Sequence, residues 1–208
     1  MASTGINPRH LVGNNKGIID YYKNPYVRIP LSYFNEYLYE IQYFFQQWSG
    51  DTENNTAEPL LREMGCYFGY LIISDILEAE LKNYQLNNES LSSKDRLQLC
   101  IAHVNTFGFG NWELIEPIRL DQFKIKIINP IELKSISKVP DKNKTRLFYF
   151  SEGISWALSH FEEGSTIPNC THDNFLAIYY DKRHQIKIKT EITNKTSQFT
   201  IIIQIEKE

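Results

Sequence analysis

Cysteine is scarce. The chain of 208 residues has three, Cys66, Cys100 and Cys170, widely spaced and without a C-x-x-C pair. That count and spacing exclude a disulfide framework and the ligand spacing of a structural zinc site. Long apolar runs are also missing: the richest, Cys66 to Ile73, falls well short of the roughly 18 residues a transmembrane helix needs. The opening residues, MASTGINPRHLVGNN, contain no apolar core of a secretory leader. A soluble, cytoplasmic protein in a reducing compartment is therefore expected, with no transmembrane segment. Charge of one sign is lacking too. Twenty-two basic against twenty-five acidic residues leave a net charge of −3, which offers nucleic acid no basic surface. Two local stretches lean basic, 124–146 and the group Lys182, Arg183, Lys187 and Lys189. Each reads as a solvated face, with contact to phosphate or a lipid headgroup as the alternative. No phosphate-binding glycine motif, internal repeat or low-complexity tract is present.

What the chain does have is aromatic bulk: 13 Tyr, 12 Phe and 3 Trp within a hydrophobic content of 42%. The length suits one domain whose core needs no covalent staple. Residues 1–30, rich in Asn, Gly and Pro, read as an irregular arm, and 31–208 as a single domain. Within the arm, Pro25 and Pro30 frame a short extended piece, Tyr26 to Ile29. Ser32 is placed to cap a helix over 31–48, with Phe34, Leu38, Ile41 and Phe45 at three- and four-residue spacing. A second helix is expected from Ala57 to Asn83, with Pro59 in its first turn and an apolar face of Leu61, Met64, Phe68, Leu71, Ile72 and Leu77. Gly65 and Gly69 interrupt it four residues apart, a spacing that lets another backbone, or a ligand, approach closely. A third helix runs from Ser92 to about Thr106 and stops at Phe107-Gly108-Phe109-Gly110. The period then changes. Residues 112–116 and the strictly alternating 123–127 read as strands, 134–146 as a loop, 147–161 as a fourth helix closed by Gly164, and 175–180 as a short strand. The alternating 186–192 and the run 199–205 form a last pair around a hairpin loop at Asn194–Ser197. This order specifies an α+β fold, with helices packed on one face of a mostly antiparallel sheet.

No catalytic constellation emerges. Cys100 and His103 share a face of the third helix, but Cys100 belongs to its apolar stripe, where a thiol behaves as a small hydrophobe. His160, Glu162, Glu163, Cys170, His172 and Asp173 are ligand types without a ligand spacing, so no metal site is assigned. The remaining candidates are aromatic and polar-tipped: Tyr67, Tyr70, His103, Phe107, Trp112 and Trp156 could line a pocket for a hydrophobic small molecule. Ordinary core packing explains the same residues and is the favoured reading on sequence alone.

Three strings carry a family resemblance: Glu63 to Tyr70 on the glycine-bearing helix, Phe107 to Leu114 around the Gly-aromatic-Gly turn, and Phe150 to Leu158 on the late helix. Over about residues 30–205 the chain resembles the 4-vinyl reductase domain, whose fold is shared with the TRAPP-subunit proteins of vesicle tethering. The resemblance implies an α+β fold and a homodimer, or a hetero-oligomer with related proteins, formed through helices. It also implies a cavity that takes a tetrapyrrole precursor or an acyl chain. It further implies a non-catalytic accessory factor in photosynthetic pigment or complex assembly. The other function it allows is a dimeric scaffolding protein acting without ligand, and peripheral membrane contact is compatible with either. In some tethering relatives a cysteine on the corresponding helix is acylated, which makes Cys66 a candidate acylation site. Many such domains end in a cysteine-bearing strand pair able to hold a metal. The final strands here contain no cysteine, so no metal site is carried over. A reductase would need a hydride donor, for which the chain has no nicotinamide or flavin fingerprint.

Overall fold

The computed structural model describes residues 19–21, 24–26, 31–49, 57–83, 91–119, 121–132, 148–162, 172–193 and 200–207. In chain order these form β1 (Ile19–Tyr21), β2 (Asn24–Tyr26), α1 (Leu31–Ser49), α2 (Glu58–Asn83), α3 (Ser93–Thr106), β3 (Asn111–Ile115), β4 (Gln122–Ile128), α4 (Tyr149–Glu162), α5 (His172–Lys182), a 3-10 turn (Arg183–Gln185), β5 (Ile186–Thr193) and β6 (Thr200–Lys207). The expected loops at 134–146 and 194–197, the linker around Gly50-Asp51, and Gly164 lie outside the described residues, as do the side chains of Phe45 and Leu77.

The sheet has four strands in the order β3-β4-β6-β5, every neighbouring pair antiparallel. Alternation decides its two faces. Phe123, Ile125 and Ile127 of β4 and Ile201, Ile203 and Ile205 of β6 are all buried, and register sets Phe123 against Ile205, Ile125 against Ile203 and Ile127 against Ile201. The opposite face is mostly polar, with Ile115, Ile128 and Ile202 among its residues, and carries cross-strand ion pairs, Lys126 Nζ to Glu113 at 2.9 Å and Lys189 Nζ to Glu206 at 3.1 Å. One face is thus built for a core and the other for water, which is the α+β arrangement expected.

α4 lies at the centre. Every residue from Phe148 to Phe161 is buried, with the sheet on one side and α2 and α3 on the other. Two of its features come straight from composition. Small Ser151, Gly153, Ser155, Ala157 and Ser159 let neighbours close in, and the hydroxyls return bonds to the helix: Ser155 Oγ donates to Ser151 O at 2.9 Å and Ser159 Oγ to Trp156 O at 2.6 Å. α3 begins as expected, Ser92 accepting from the backbone N–H of Asp95. It ends in a turn where Gly108 and Gly110 take φ of 79° and 113°, values costly to residues with a Cβ. Asn105 then ties the helix end to β3, its amide nitrogen donating to Trp112 O at 3.0 Å and its amide oxygen accepting from Trp112 N–H at 2.7 Å.

Three sequence expectations are corrected. Residues 175–180 are helix, not strand: in α5, Phe175 and Tyr179 lie four apart and are both buried, whereas Ala177 and Tyr180 face out. A short apolar run carries too little periodicity to choose between the two states, and packing against α2 and α4 decides for the helix. Ser32 does not precede the first helix, because α1 already begins at Leu31. The arm holds a small antiparallel ladder, with Ile19 opposite Tyr26 and Asp20 opposite Pro25, so that Tyr26 is paired rather than merely extended.

Candidate functional site

The paired glycines of α2 receive a backbone. A Cβ on Gly65 would fall on the Phe150 carbonyl, 2.8 Å from its carbon; one on Gly69 would sit 2.8 Å from the Ala157 Cβ. The contact is reciprocal. A Cβ on Gly153 of α4 would fall on the carbonyl oxygen of Arg62 and come within 2.6 Å of Cys66 N. α2 and α4 therefore cross at backbone distance, through the two strings 63–70 and 150–158. Cys66 lies in this crossing, fully buried.

On one side of the crossing, α2, α4 and α5 enclose an aromatic group. Tyr67 packs on Phe175 at 5.0 Å between ring centroids; Tyr70, fully buried, touches Phe161 at 5.2 Å, Phe175 at 5.6 Å and Trp156 at 6.2 Å. Trp156 stacks on His160 at 4.1 Å and meets Tyr179 edge-on at 5.2 Å. Its Nε1–H is buried and has no hydrogen-bond partner among the described residues. On the other side, α1, α2, α4 and the turn after α3 share a second group: Phe34, Phe68, Phe107, Phe109 and Phe150. Trp112 borders it, its Nε1–H spent on Phe109 O at 3.1 Å. The six residues singled out in the sequence thus fall into separate places. Tyr67, Tyr70 and Trp156 come together, Phe107 and Trp112 lie at the end of α3, and His103 is buried within α3, where desolvation pulls its imidazole down to about 4. Cys100, buried on the same helix, is pushed up to about 12 by the same cause, far from the range of a reactive thiolate. Among the described residues no group of three or more His, Cys, Asp or Glu could hold a metal, and no helix is long and apolar enough to cross a membrane.

Two features were not read from the sequence. One is a polar array at the start of α4. Glu152, almost buried, takes Arg62 Nη2 at 2.6 Å and the Thr190 hydroxyl, while Arg62 also reaches Glu58 at 2.8 Å. Glu132, following β4, accepts from both the N–H and the Oγ–H of Ser151, each at 2.7 Å. Burial pushes the Glu132 carboxyl up to about 7, and the neighbouring charge of Glu152 adds to the rise. No local pattern marks Glu132, since its partner lies 19 residues away.

The other is the outer face of α1. Tyr33, Tyr37, Phe44 and Trp48 are 67%, 52%, 63% and 77% exposed. Their spacing of four, seven and four places all four within an arc of about 60° at 100° per residue. Phe34, Leu38 and Ile41 sit on the adjoining arc and attach the helix to the core. The stripe was legible as a second apolar period beside the inner one.

Compared with known proteins, the chain matches no family model and no curated sequence. The class it defines rests on its own architecture: an α+β domain with a four-stranded antiparallel sheet and a buried central helix.

Proposed function

We propose that this protein works as an assembly module, forming a homodimer through the aromatic face of α1. The exposed stripe carries this reading. At about 200 Å² per ring, the four side chains offer roughly 500 Å² per molecule. Doubled across a twofold axis that approaches about 1,000 Å², the lower bound for a specific interface. The composition of the helix favours a protein partner over a lipid surface. α1 contains Glu36 and Glu40 and no Lys or Arg, whereas helices that lie on membranes carry basic residues on their polar face. The aromatic residues that a ligand pocket would need are, by contrast, largely occupied with one another.

Sedimentation velocity between 1 and 100 µM (concentrations chosen to span about 8 to 5 kcal/mol of association) is the test. The wild type is expected to sediment as a dimer, and the double variant Phe44→Glu/Trp48→Glu as a folded monomer with unchanged circular dichroism. A wild type that stays monomeric throughout refutes the proposal.

A second reading has one observation in its favour. The unspent Nε1–H of Trp156, inside the ring group of α2, α4 and α5, is a donor suited to a hydrophobic small molecule with a carbonyl or carboxyl acceptor, such as an acyl chain or a tetrapyrrole precursor. Native mass spectrometry of protein from its own source, repeated under denaturing conditions, separates the two. Mass lost on denaturation supports the ligand, and an unadorned dimer supports assembly alone. The family resemblance is compatible with both readings.

A further inference from the structure

We infer that β5 is a second contact surface, which pairs edge to edge with β5 of another copy of this chain in one antiparallel register centred on Thr190. The strand contact does not rest on the assembly reading above; its consequence for the size of the assembly does. The two ends of the sheet are finished differently. β3 is five residues long, and the backbone N–H and C=O that Trp112 turns outward are both taken by the Asn105 amide. An edge closed in that way adds no neighbour there. β5, Ile186–Thr193, is eight residues long with no proline, and among the described residues it forms the other edge. Its inward isoleucines show the difference. Ile188 and Ile192 are only half-buried, whereas Ile205 and Ile201 opposite them on β6 are fully buried. The apolar layer beneath the sheet is thus incomplete along β5, while Thr190 at the strand's middle is held in place by its bond to Glu152.

The side chains select the occupant. Residues directly opposite in an antiparallel pair lie on the same face, so each register of β5 with its copy is centred on one residue. Centred on Ile188, Lys187 falls against Lys189 of the copy; centred on Lys189 or on Glu191, that residue falls against itself. Each of these sets like charges in contact. Centred on Thr190, none do. Lys189 then lies opposite Glu191 of the copy and Glu191 opposite its Lys189, with Ile188 against Ile192 twice and Lys187 against Thr193. The isoleucine pairs fall on the inward face and extend the apolar layer. The charge pairs fall on the outer face, where Lys189 Nζ, 3.1 Å from Glu206, has three donors and can serve a second carboxylate. Outward lysines ordinarily blunt a strand edge; here they exclude the neighbouring registers and leave one. A second copy is favoured over a foreign segment because it supplies both charges in the order required. Pairs of this kind are individually weak, so the contact forms above the concentrations that saturate the α1 face. Each α1 dimer carries two β5 edges, and the same contact joins dimers into tetramers and longer chains.

Small-angle X-ray scattering from about 0.1 to 2 mM, the range in which so weak a contact is populated, tests this. In Phe44→Glu/Trp48→Glu the mass should rise from monomer toward dimer. Residue-resolved hydrogen exchange should slow with concentration at the β5 amides that do not bond β6. Wild type should grow from dimer toward tetramer and beyond, which reads the same contact if the α1 variant folds poorly. Lys189→Glu and Glu191→Lys each set like charges opposite at two places and should weaken the contact at least about tenfold. The double swap Lys189→Glu/Glu191→Lys returns opposite charges to both places and should restore it. Lys124→Glu, the same change of charge on the exposed face two strands away, should leave it intact. A wild type that is monomeric at the lowest concentration yet pairs with this charge pattern refutes α1 assembly and leaves the β5 contact standing. The β5 contact is overturned by a mass that never rises with concentration, or by a double swap no better than the single variants. Outward β5 amides already protected at the lowest concentration overturn it as well, because the edge is then filled from within the chain.

Discussion

Replacing Gly153 with alanine tests the α2–α4 crossing most directly. On an exposed helix that change would stabilise by about 1 kcal/mol, because glycine is the poorer helix former. Here the new methyl falls on the Arg62 carbonyl oxygen and within 2.6 Å of Cys66 N, both backbone atoms in the middle of another helix. An ordinary carbon contact is about 3.5–4.0 Å, so the helices must part by roughly an ångström along their whole contact. Overpacking of this kind costs typically 1–3 kcal/mol, and the upper end applies because neither obstacle can rotate away. A net destabilisation of about 2 kcal/mol is expected after the propensity gain. For a chain of this length that lowers the melting temperature by roughly 4–8 °C. Urea unfolding followed by far-ultraviolet circular dichroism reads it, with the slope unchanged and the midpoint lower. Gly108→Ala is the matched control: its φ is 79° but a Cβ would meet nothing within 4 Å, so only local strain of about 1 kcal/mol is expected. A Gly153→Ala protein as stable as wild type would show that the crossing is not at backbone distance.

Stability against pH should show two opposing contributions. Glu132 has a folded value raised above its ordinary one, so it stabilises fully below about 4.5 and that stability is lost as pH rises through about 7. His103 has a folded value lowered to about 4, so its contribution is present above about 6.5 and is lost as pH falls toward 4. Wild type should therefore change little in denaturant midpoint between pH 5 and 6.5. Glu132→Gln should lose stability on acidification and His103→Gln should gain it, and parallel profiles for all three would contradict the assignment. Among the described residues, Arg62→Ala leaves the almost buried Glu152 with the Thr190 hydroxyl as its remaining side-chain partner, and about 1–3 kcal/mol of stability should go with it in chemical denaturation. Removing Glu152 as well should recover part of that loss. Cys66 and Cys100, both buried, should resist a thiol reagent at pH 8 until denaturant is added, as peptide mapping of the labelled protein would report. Rapid native labelling of Cys66 would mean that α2 and α4 part readily.

The helices α1 to α4 and the strands β3 to β6 were legible in the chain because each repeats its pattern for long enough. Three- and four-residue apolar spacing over a dozen or more positions, strict alternation in Phe123–Ile127, a serine cap and a Gly-x-Gly stop are local properties. So was the α+β class that their order implies. The same local reading failed at 175–180, where six apolar residues fit either period and only the space between α2 and α4 selects the helix. It saw that Gly65 and Gly69 invited a close neighbour but could not name Gly153 as the answering glycine, about ninety residues on. The aromatic residues stood out by type, yet whether Tyr70 and Trp156 meet each other or a ligand depends on where helices cross. Glu132 carried no signal at all: a glutamate in a polar stretch is ordinarily solvated, and its burial against Ser151 exists only once the end of β4 is laid beside the start of α4. Periodicity is written along the chain, whereas contact, desolvation and the shifts they cause belong to residues brought together from far apart in it.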